Sequence, residues 1–459
     1  MNNLFTRYWN PYFALILAGI LSAIYFGITG TVWAVTGEFT RLGGHILQFF
    51  GVDISDWDYF NLVHMQGSSF SRSDGWIVWG MFIGALMMVL LSNNFKIRIP
   101  KQKRRLVQGL IGGIIAGFGA RLALGCNLAA FFTGVPQFSF HSWIFIIATG
   151  IGTYLGSKIT RTRWWKGKPS LTRGNKKPSA KKSRKIQPYI GGIIALMYVG
   201  LILFFFVTGK PLLGTAAIFG ALFGILIERG QICFTSAFRD LWLTGRGVMA
   251  KAIIIAMAVS SIVTMVVIVI YGMEPITQIA APSTFIGGFL FGLGIVLASS
   301  CETGMMYRLM EGQILYLTVF VGNIIGVTAL AYAWDHLGVY SALVASGKPI
   351  NLISTMGPVG AIIATLVMLG ILYLLTLYRQ KNYRFVGMGF KKGEKKNVSW
   401  FYVGFTRRIL PLSSHLHIRS IRRNDFRRTS PGHHGLSFFI QKHPRRSNKT
   451  WLSICQGSN

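Results

Sequence analysis

Three cysteines stand in matching contexts along the chain. Cys126 lies between Gly125 and Asn127, Cys233 in Gln231-Ile232-Cys233-Phe234-Thr235, and Cys301 in Ser299-Ser300-Cys301-Glu302-Thr303-Gly304. Each closes a glycine-rich apolar run. A thiol is a weak S–H donor and a soft, polarisable partner, suited to an anion that presents sulfur or selenium. If the runs are half-helices meeting inside the protein, exposed backbone N–H groups beside the thiols also favour an anion. Taken singly, each cysteine reads equally as a small hydrophobe packed in a helix bundle; the recurrence of context is what favours a site.

Charged residues near these motifs are Arg121, Glu228, Arg229, Arg239, Asp240, Glu302, Arg308 and Glu311. Most read as snorkelling or interfacial pairs at span ends. Arg121 and Glu302 differ, because each lies within five residues of a repeated cysteine. A fixed cation there attracts an oxyanion, and a buried carboxylate needs a partner or a proton. Arg239 could activate a thiolate, and Asn127, Thr235, Ser236 and Thr303 could add polar groups. Metal binding is disfavoured, since neither Cys–Cys nor Cys–His pairs show ligand spacing; neither a metal nor a cofactor is expected. Covalent sulfur transfer, with a persulfide handed to a cytosolic carrier, stays open as an alternative to a non-enzymatic transporter. No phosphate-binding loop motif is present, so the energy for transport would come from a gradient or from cytosolic consumption of the substrate.

The elements that must position these residues are membrane helices. The 459 residues are 52% hydrophobic and 13% charged, about half the charge of an average soluble domain, which rules out a soluble globule. Apolar windows predict about ten spans, near 12–33, 75–93, 107–127, 141–158, 188–208, 213–228, 250–272, 284–301, 314–334 and 353–377. The 54 glycines exceed the usual share of about 7% and predict close helix contacts or broken helices. The first run lacks a small-residue cleavage pattern and reads as a retained helix. Four cysteines, at 126, 233, 301 and 455, are too few and too scattered for a disulfide framework.

Lys+Arg 47 against Asp+Glu 13 gives a net charge of +34, which in a soluble protein would suggest nucleic acid. Here the cations gather between apolar runs and in the tail, where they set orientation and meet the lipid bilayer; nucleic acid is not expected as a partner. Segment 96–105 holds six cations, and 161–185 holds eleven without an acid. Both are expected in the cytoplasm. The acidic stretch 35–74 and the Lys/Arg-free stretch 273–283 are expected outside. Ten spans satisfy these assignments with both termini cytoplasmic.

Residues 111–126 match 286–301 without a gap, with eight of sixteen positions identical and Cys126 aligned on Cys301. In the topology above the first copy runs outward and the second inward, the pattern of an inverted repeat with a site near the midplane. A weaker echo sets Gly80 to Gly84 against Gly220 to Gly224 and places Asn93 opposite Cys233. The organisation expected is a first transmembrane half (1–158), a basic irregular linker (159–187), a second half (188–385) and a basic tail (386–459). The tail carries fifteen Lys/Arg against Glu394 and Asp425, and reads as a lipid-binding segment or, preferably, as translation beyond a frameshift. Cys455 lies in it.

Four segments, Phe26 to Arg41, Gly117 to Gly134, Glu228 to Asp240 and Cys301 to Arg308, resemble the YeeE/YedE family of bacterial inner-membrane proteins over roughly residues 8 to 385. The resemblance implies an all-α multi-pass membrane protein of inverted halves with short re-entrant helices, transporting a sulfur compound. It implies substrate-path roles for Cys126, Cys233 and Cys301, which match the cysteine motifs of the thiosulfate-uptake branch. The branch this sequence most resembles is associated with selenium metabolism, often beside a small TusA-like sulfur carrier. Around Cys301, Glu302-Thr-Gly-Met-Met-Tyr307 replaces the smaller, more glycine-rich environment of the thiosulfate branch.

Overall fold

The computed structural model describes residues 7–166 and 186–389. The greater part of the expected linker, 167–185, and the tail from 390 onward lie outside the described residues. Where the linker is described it is partly helical, since α6 runs to Ile159 and a further turn covers Arg163–Lys166.

The fold is all-α. Helix α1 (Pro11–Thr29) opens with Pro11, whose fixed φ suits a first turn, and Asn10 Oδ1 accepts the Tyr12 N–H at 3.0 Å. Gly30 ends it at φ 69°. Then come α2 (Thr36–Phe49), α3 (Asp58–Leu62), α4 (Ser73–Leu91), α5 (Lys103–Leu122), a π-helical turn (Asn127–Phe132), α6 (Phe140–Ile159) and α7 (Arg163–Lys166). The second series comprises α8 (Ile186–Val207), α9 (Pro211–Arg229), α10 (Phe234–Thr244), α11 (Val248–Tyr271), α12 (Pro282–Leu297), α13 (Glu302–Met310), α14 (Leu315–His336), a π-helical turn (Tyr340–Val344) and α15 (Leu352–Gly389). A two-residue antiparallel ladder pairs β1 (Ile279–Ala280) with β2 (Lys348–Pro349). Helix α15 bends at Gly357, which takes φ 72° just before Pro358.

All ten expected spans fall on helices. Among the described residues, eight helical stretches are long and apolar enough to cross a bilayer, and α5 and α6 are not among them. Both have 20 residues, enough for the hydrocarbon core. They are less apolar because α5 carries Lys103, Arg104, Arg105 and Arg121 and α6 carries His141, Ser142, Thr149 and Thr153; α5 packs on α12 and α14, and α6 on α12. Two of the eight stretches, Pro211–Thr244 and Pro282–Met310, are each a long helix, a break at a cysteine, and a short helix.

The stretch 35–74, expected outside, carries helices α2 and α3, and part of it is folded into the protein. Helix α2 buries Glu38, 4% exposed, and Arg41, 7% exposed. Arg41 Nη1 donates to Glu38 Oε2 at 3.1 Å and Asp74 Oδ2 at 2.9 Å, while Arg72 Nη2 donates to Glu38 Oε1 at 3.1 Å. Pairing lets these charges leave water.

Elements recur at a spacing of 175 residues. Starts at 11 and 186, 36 and 211, 73 and 248, 127 and 302, and 140 and 315 all follow it. The repeated glycines hold the two copies together. A methyl on Gly119 would sit 2.7 Å from Gly287 O, and one on Gly287 the same distance from Gly119 O; one on Gly294 would sit 2.9 Å from Gly112 O. Contacts therefore run 119 to 287 and 112 to 294, so α5 and α12 cross antiparallel with backbones touching. Only residues without a side chain allow that approach.

Candidate functional site

The chain breaks in the same way at all three cysteines. A long helix ends; two residues before the cysteine the backbone turns left-handed, at Leu124 (φ 55°), Gln231 (φ 49°) and Ser299 (φ 63°). The cysteine is then extended and caps the following turn: the π-helical turn, α10 and α13 respectively. None of the three turning residues is glycine, and each such conformation costs about 1–3 kcal/mol. The break places each sulfur at the positive end of a short helical segment.

Cys126 and Cys233 are 1% exposed and Cys301 2%. The Cys233 and Cys301 thiols lie close enough to act on each other. Phe234 N–H donates to Cys301 Sγ at 3.3 Å, and Thr303 Oγ1 lies 3.0 Å from the same sulfur. The Cys126 thiol meets the Glu302 carboxylate, which adjoins Cys301 in sequence. The three cysteines thus form one buried cluster linked through Glu302. Rings seal it: Phe234 lies 5.9 Å from Phe131 and 5.8 Å from Phe132, centroid to centroid.

Glu302 Oε1 accepts from Asn323 Nδ2 at 3.3 Å, and Arg121 acts on the carboxylate electrostatically. The Arg121 guanidinium lies over the Tyr59 ring, 5.2 Å from its centroid. Several buried polar atoms here lack a well-formed hydrogen bond: Asn127 Oδ1 and Nδ2, Thr235 Oγ1, Glu302 Oε2 and Arg121 Nε. Each of these residues lies within five positions of one of the three cysteines in sequence.

Of the expected site residues, Arg121, Cys126, Asn127, Cys233, Cys301 and Glu302 lie in or against this cluster. Arg239 is differently placed: it is half-buried and pairs with Asp240 at 3.3 Å, one residue on. The buried cation whose charge acts on Cys233 is Arg308. Arg308 is 3% exposed, and its Nη1 donates to Tyr316 Oη at 2.8 Å and Ser299 O at 3.2 Å. Glu228 and Arg229 form a buried pair with each other, and Glu311 accepts from Gln231 Nε2 at 3.1 Å and Gln313 Nε2 at 2.9 Å. Glu228, Arg229 and Glu311 are thus buried with polar partners.

Sequence reasoning overlooked Gly304 and Asn323. A methyl on Gly304 would lie 2.9 Å from Cys233 Sγ and would also strike Ser300 Oγ, so this glycine makes room for the thiol. Asn323, 2% exposed in the apolar helix α14, carries its own sequence signal, because a polar side chain inside a span needs a partner.

Comparison with known proteins agrees with this architecture. The sequence pattern of a family described as "Sulphur transport" matches residues 1–155 and 229–422. A probable transporter, YedE of Escherichia coli K12, is 48% identical over 391 residues, spanning 82% of this chain and 94% of the relative. The probable transporter YedE of Salmonella typhimurium LT2 is 48% identical over 385 residues, with the same coverage. The thiosulfate transporter TsuA of E. coli K12 is 42% identical over 97 residues, 21% of this chain and 27% of TsuA.

Proposed function

The chain belongs to the sulphur-transport (YeeE/YedE) family, and on that premise we propose that it carries a sulfur- or selenium-containing anion of thiosulfate's class inward along a path formed by Cys126, Cys233 and Cys301. It is a multi-pass protein of the bacterial inner membrane. The observation that carries the proposal is the convergence of three thiols, from breaks in α5–α6, α9–α10 and α12–α13, at helix N-termini inside the protein.

Transport needs binding strong enough to draw the anion from water and weak enough to release it. A fixed, uncompensated cation at the centre would hold the anion too tightly. Thiol donors and backbone N–H groups offer neutral contacts worth about 0.5–1.5 kcal/mol each. Arg121, balanced by Glu302, attracts without trapping. The thiols are closed in by Phe131, Phe132 and Phe234, so this is an occluded arrangement in which the rings move aside for passage. The 175-residue spacing and the antiparallel crossing of α5 and α12 support two inverted halves that rock about the glycine contact.

Uptake of labelled thiosulfate into proteoliposomes, with selenite, selenate and sulfite as competitors and with or without a proton gradient, tests the proposal. Cys126→Ala, Cys233→Ala and Cys301→Ala are each expected to reduce uptake to background. Unimpaired uptake in all three would dispose of it. The contact between the Cys233 and Cys301 thiols favours one second reading, a sulfur relay: a thiolate takes the outer sulfur of thiosulfate, releases sulfite, and passes the persulfide sulfur to a TusA-like carrier. A substrate-dependent mass gain of one sulfur on either residue distinguishes the relay from passage without covalent change.

A further inference from the structure

A second apolar feature lies away from the thiols. Helices α6, α10, α11 and α15 enclose a crevice of about 570 Å³, within the roughly 300–1,000 Å³ of small-molecule sites. Its lining is almost entirely hydrocarbon and aromatic. At one end the chemistry changes: Tyr154 and Trp242 meet edge to face at 5.4 Å. The Lys158 ammonium lies 4.5 Å from the Tyr154 centroid, and the Arg379 guanidinium 5.7 Å from that of Trp242. Aromatic rings carrying cations mark the headgroup level of a bilayer. This end adjoins the basic segment 161–166, and the positive-inside rule puts it in the cytoplasm. The inner end is walled by Phe131 and Phe238, 5.9 Å apart. Phe131 also touches Phe234, whose N–H holds Cys301 Sγ.

We propose that this crevice binds an anionic phospholipid of the cytoplasmic leaflet, with an acyl chain between α6 and α10 and the phosphate against Lys158 and Arg379. A hydrocarbon slot ending in two cations matches the two parts of such a lipid, and the negative charge of that leaflet supplies it. A zwitterionic lipid fills the slot too, but its own ammonium already balances its phosphate, so it engages Lys158 and Arg379 more weakly. Because the acyl chain rests on Phe131 and Phe238, the lipid braces the short helix that presents Cys233.

The test uses the purified full-length protein with phosphatidylglycerol or phosphatidylcholine, read by native mass spectrometry and by thermal unfolding without any transport substrate. Its failure is thus distinct from failure of the transport reading. A methyl at Gly150, on the crevice wall, meets nothing within 4 Å, so Gly150→Leu starts its side chain in open space and extends it into the slot. The wild type is expected to retain phosphatidylglycerol in preference to phosphatidylcholine and to be stabilised by it. Gly150→Leu is expected to lose both effects, and Lys158→Gln/Arg379→Gln to lose the preference while still binding neutral lipid. Equal retention of the two lipids by the wild type, or adducts unchanged in Gly150→Leu, would overturn the proposal. So would a dimer that Gly150→Leu dissociates with lipid retention intact, since the occupant would then be a second copy.

Discussion

Replacing Gly304 with alanine tests whether the placement of Cys233 matters to transport. The new methyl would lie 2.9 Å from Cys233 Sγ, well inside the roughly 3.5–4.0 Å optimum for non-bonded heavy atoms. Ser300 Oγ, the other atom in the way, ends a rotatable side chain and can turn aside. The thiol can yield only by leaving Cys301 or by pushing α13 outward. Overpacking of this kind costs about 1–3 kcal/mol, and alanine returns at most about 1 kcal/mol through helix propensity. Stability should therefore fall by up to about 3 kcal/mol. If transport needs the displaced arrangement, uptake should fall about 5- to 150-fold, at tenfold per 1.4 kcal/mol. Labelled thiosulfate uptake, normalised to folded protein in the membrane, measures the effect. Adding Cys233→Ala removes the obstructing sulfur, so the double variant should recover thermal stability but not uptake. Wild-type uptake together with wild-type unfolding in Gly304→Ala would refute the reasoning.

Three further outcomes are expected. Arg121→Gln removes a cation that acts electrostatically on the buried Glu302 carboxylate and should lower stability by about 1 kcal/mol; Arg121→Gln/Glu302→Gln should unfold near the wild-type temperature yet take up little anion, and equal uptake by the double variant would remove Arg121 from the path. Gly119→Ala or Gly287→Ala should each destabilise by about 1–3 kcal/mol, because the methyl meets backbone that cannot rotate away; an unchanged unfolding temperature would count against the glycine crossing. Cys126, Cys233 and Cys301, at most 2% exposed, should resist a membrane-impermeant maleimide in the absence of substrate, and labelling at the rate of a surface cysteine would contradict the occluded arrangement.

Composition and hydropathy located all ten long helices among the described residues, because burying a main chain in lipid is a local requirement that each span meets alone. The glycine repeat, and the cysteines closing its two copies, were legible for the same reason: helix breaks and close approach are written in consecutive residues. The pairing inside 35–74 was not legible, since the sequence shows its charges but not that Arg41 and Arg72 meet Glu38 and Asp74.

What sequence could not decide was which side chains meet. Phe234 N–H reaches Cys301 Sγ across 67 residues of chain, and Asn323 reaches Glu302 from another helix. Arg239, near Cys233 in sequence, turns instead to Asp240, while Arg308 brings the buried charge that acts on that thiol. Pattern and spacing fix where helices start and stop, because those free energies are set by neighbours along the chain. Partners across the bundle follow from how the helices cross, and the crossing is set by the summed packing of many residues, glycines above all.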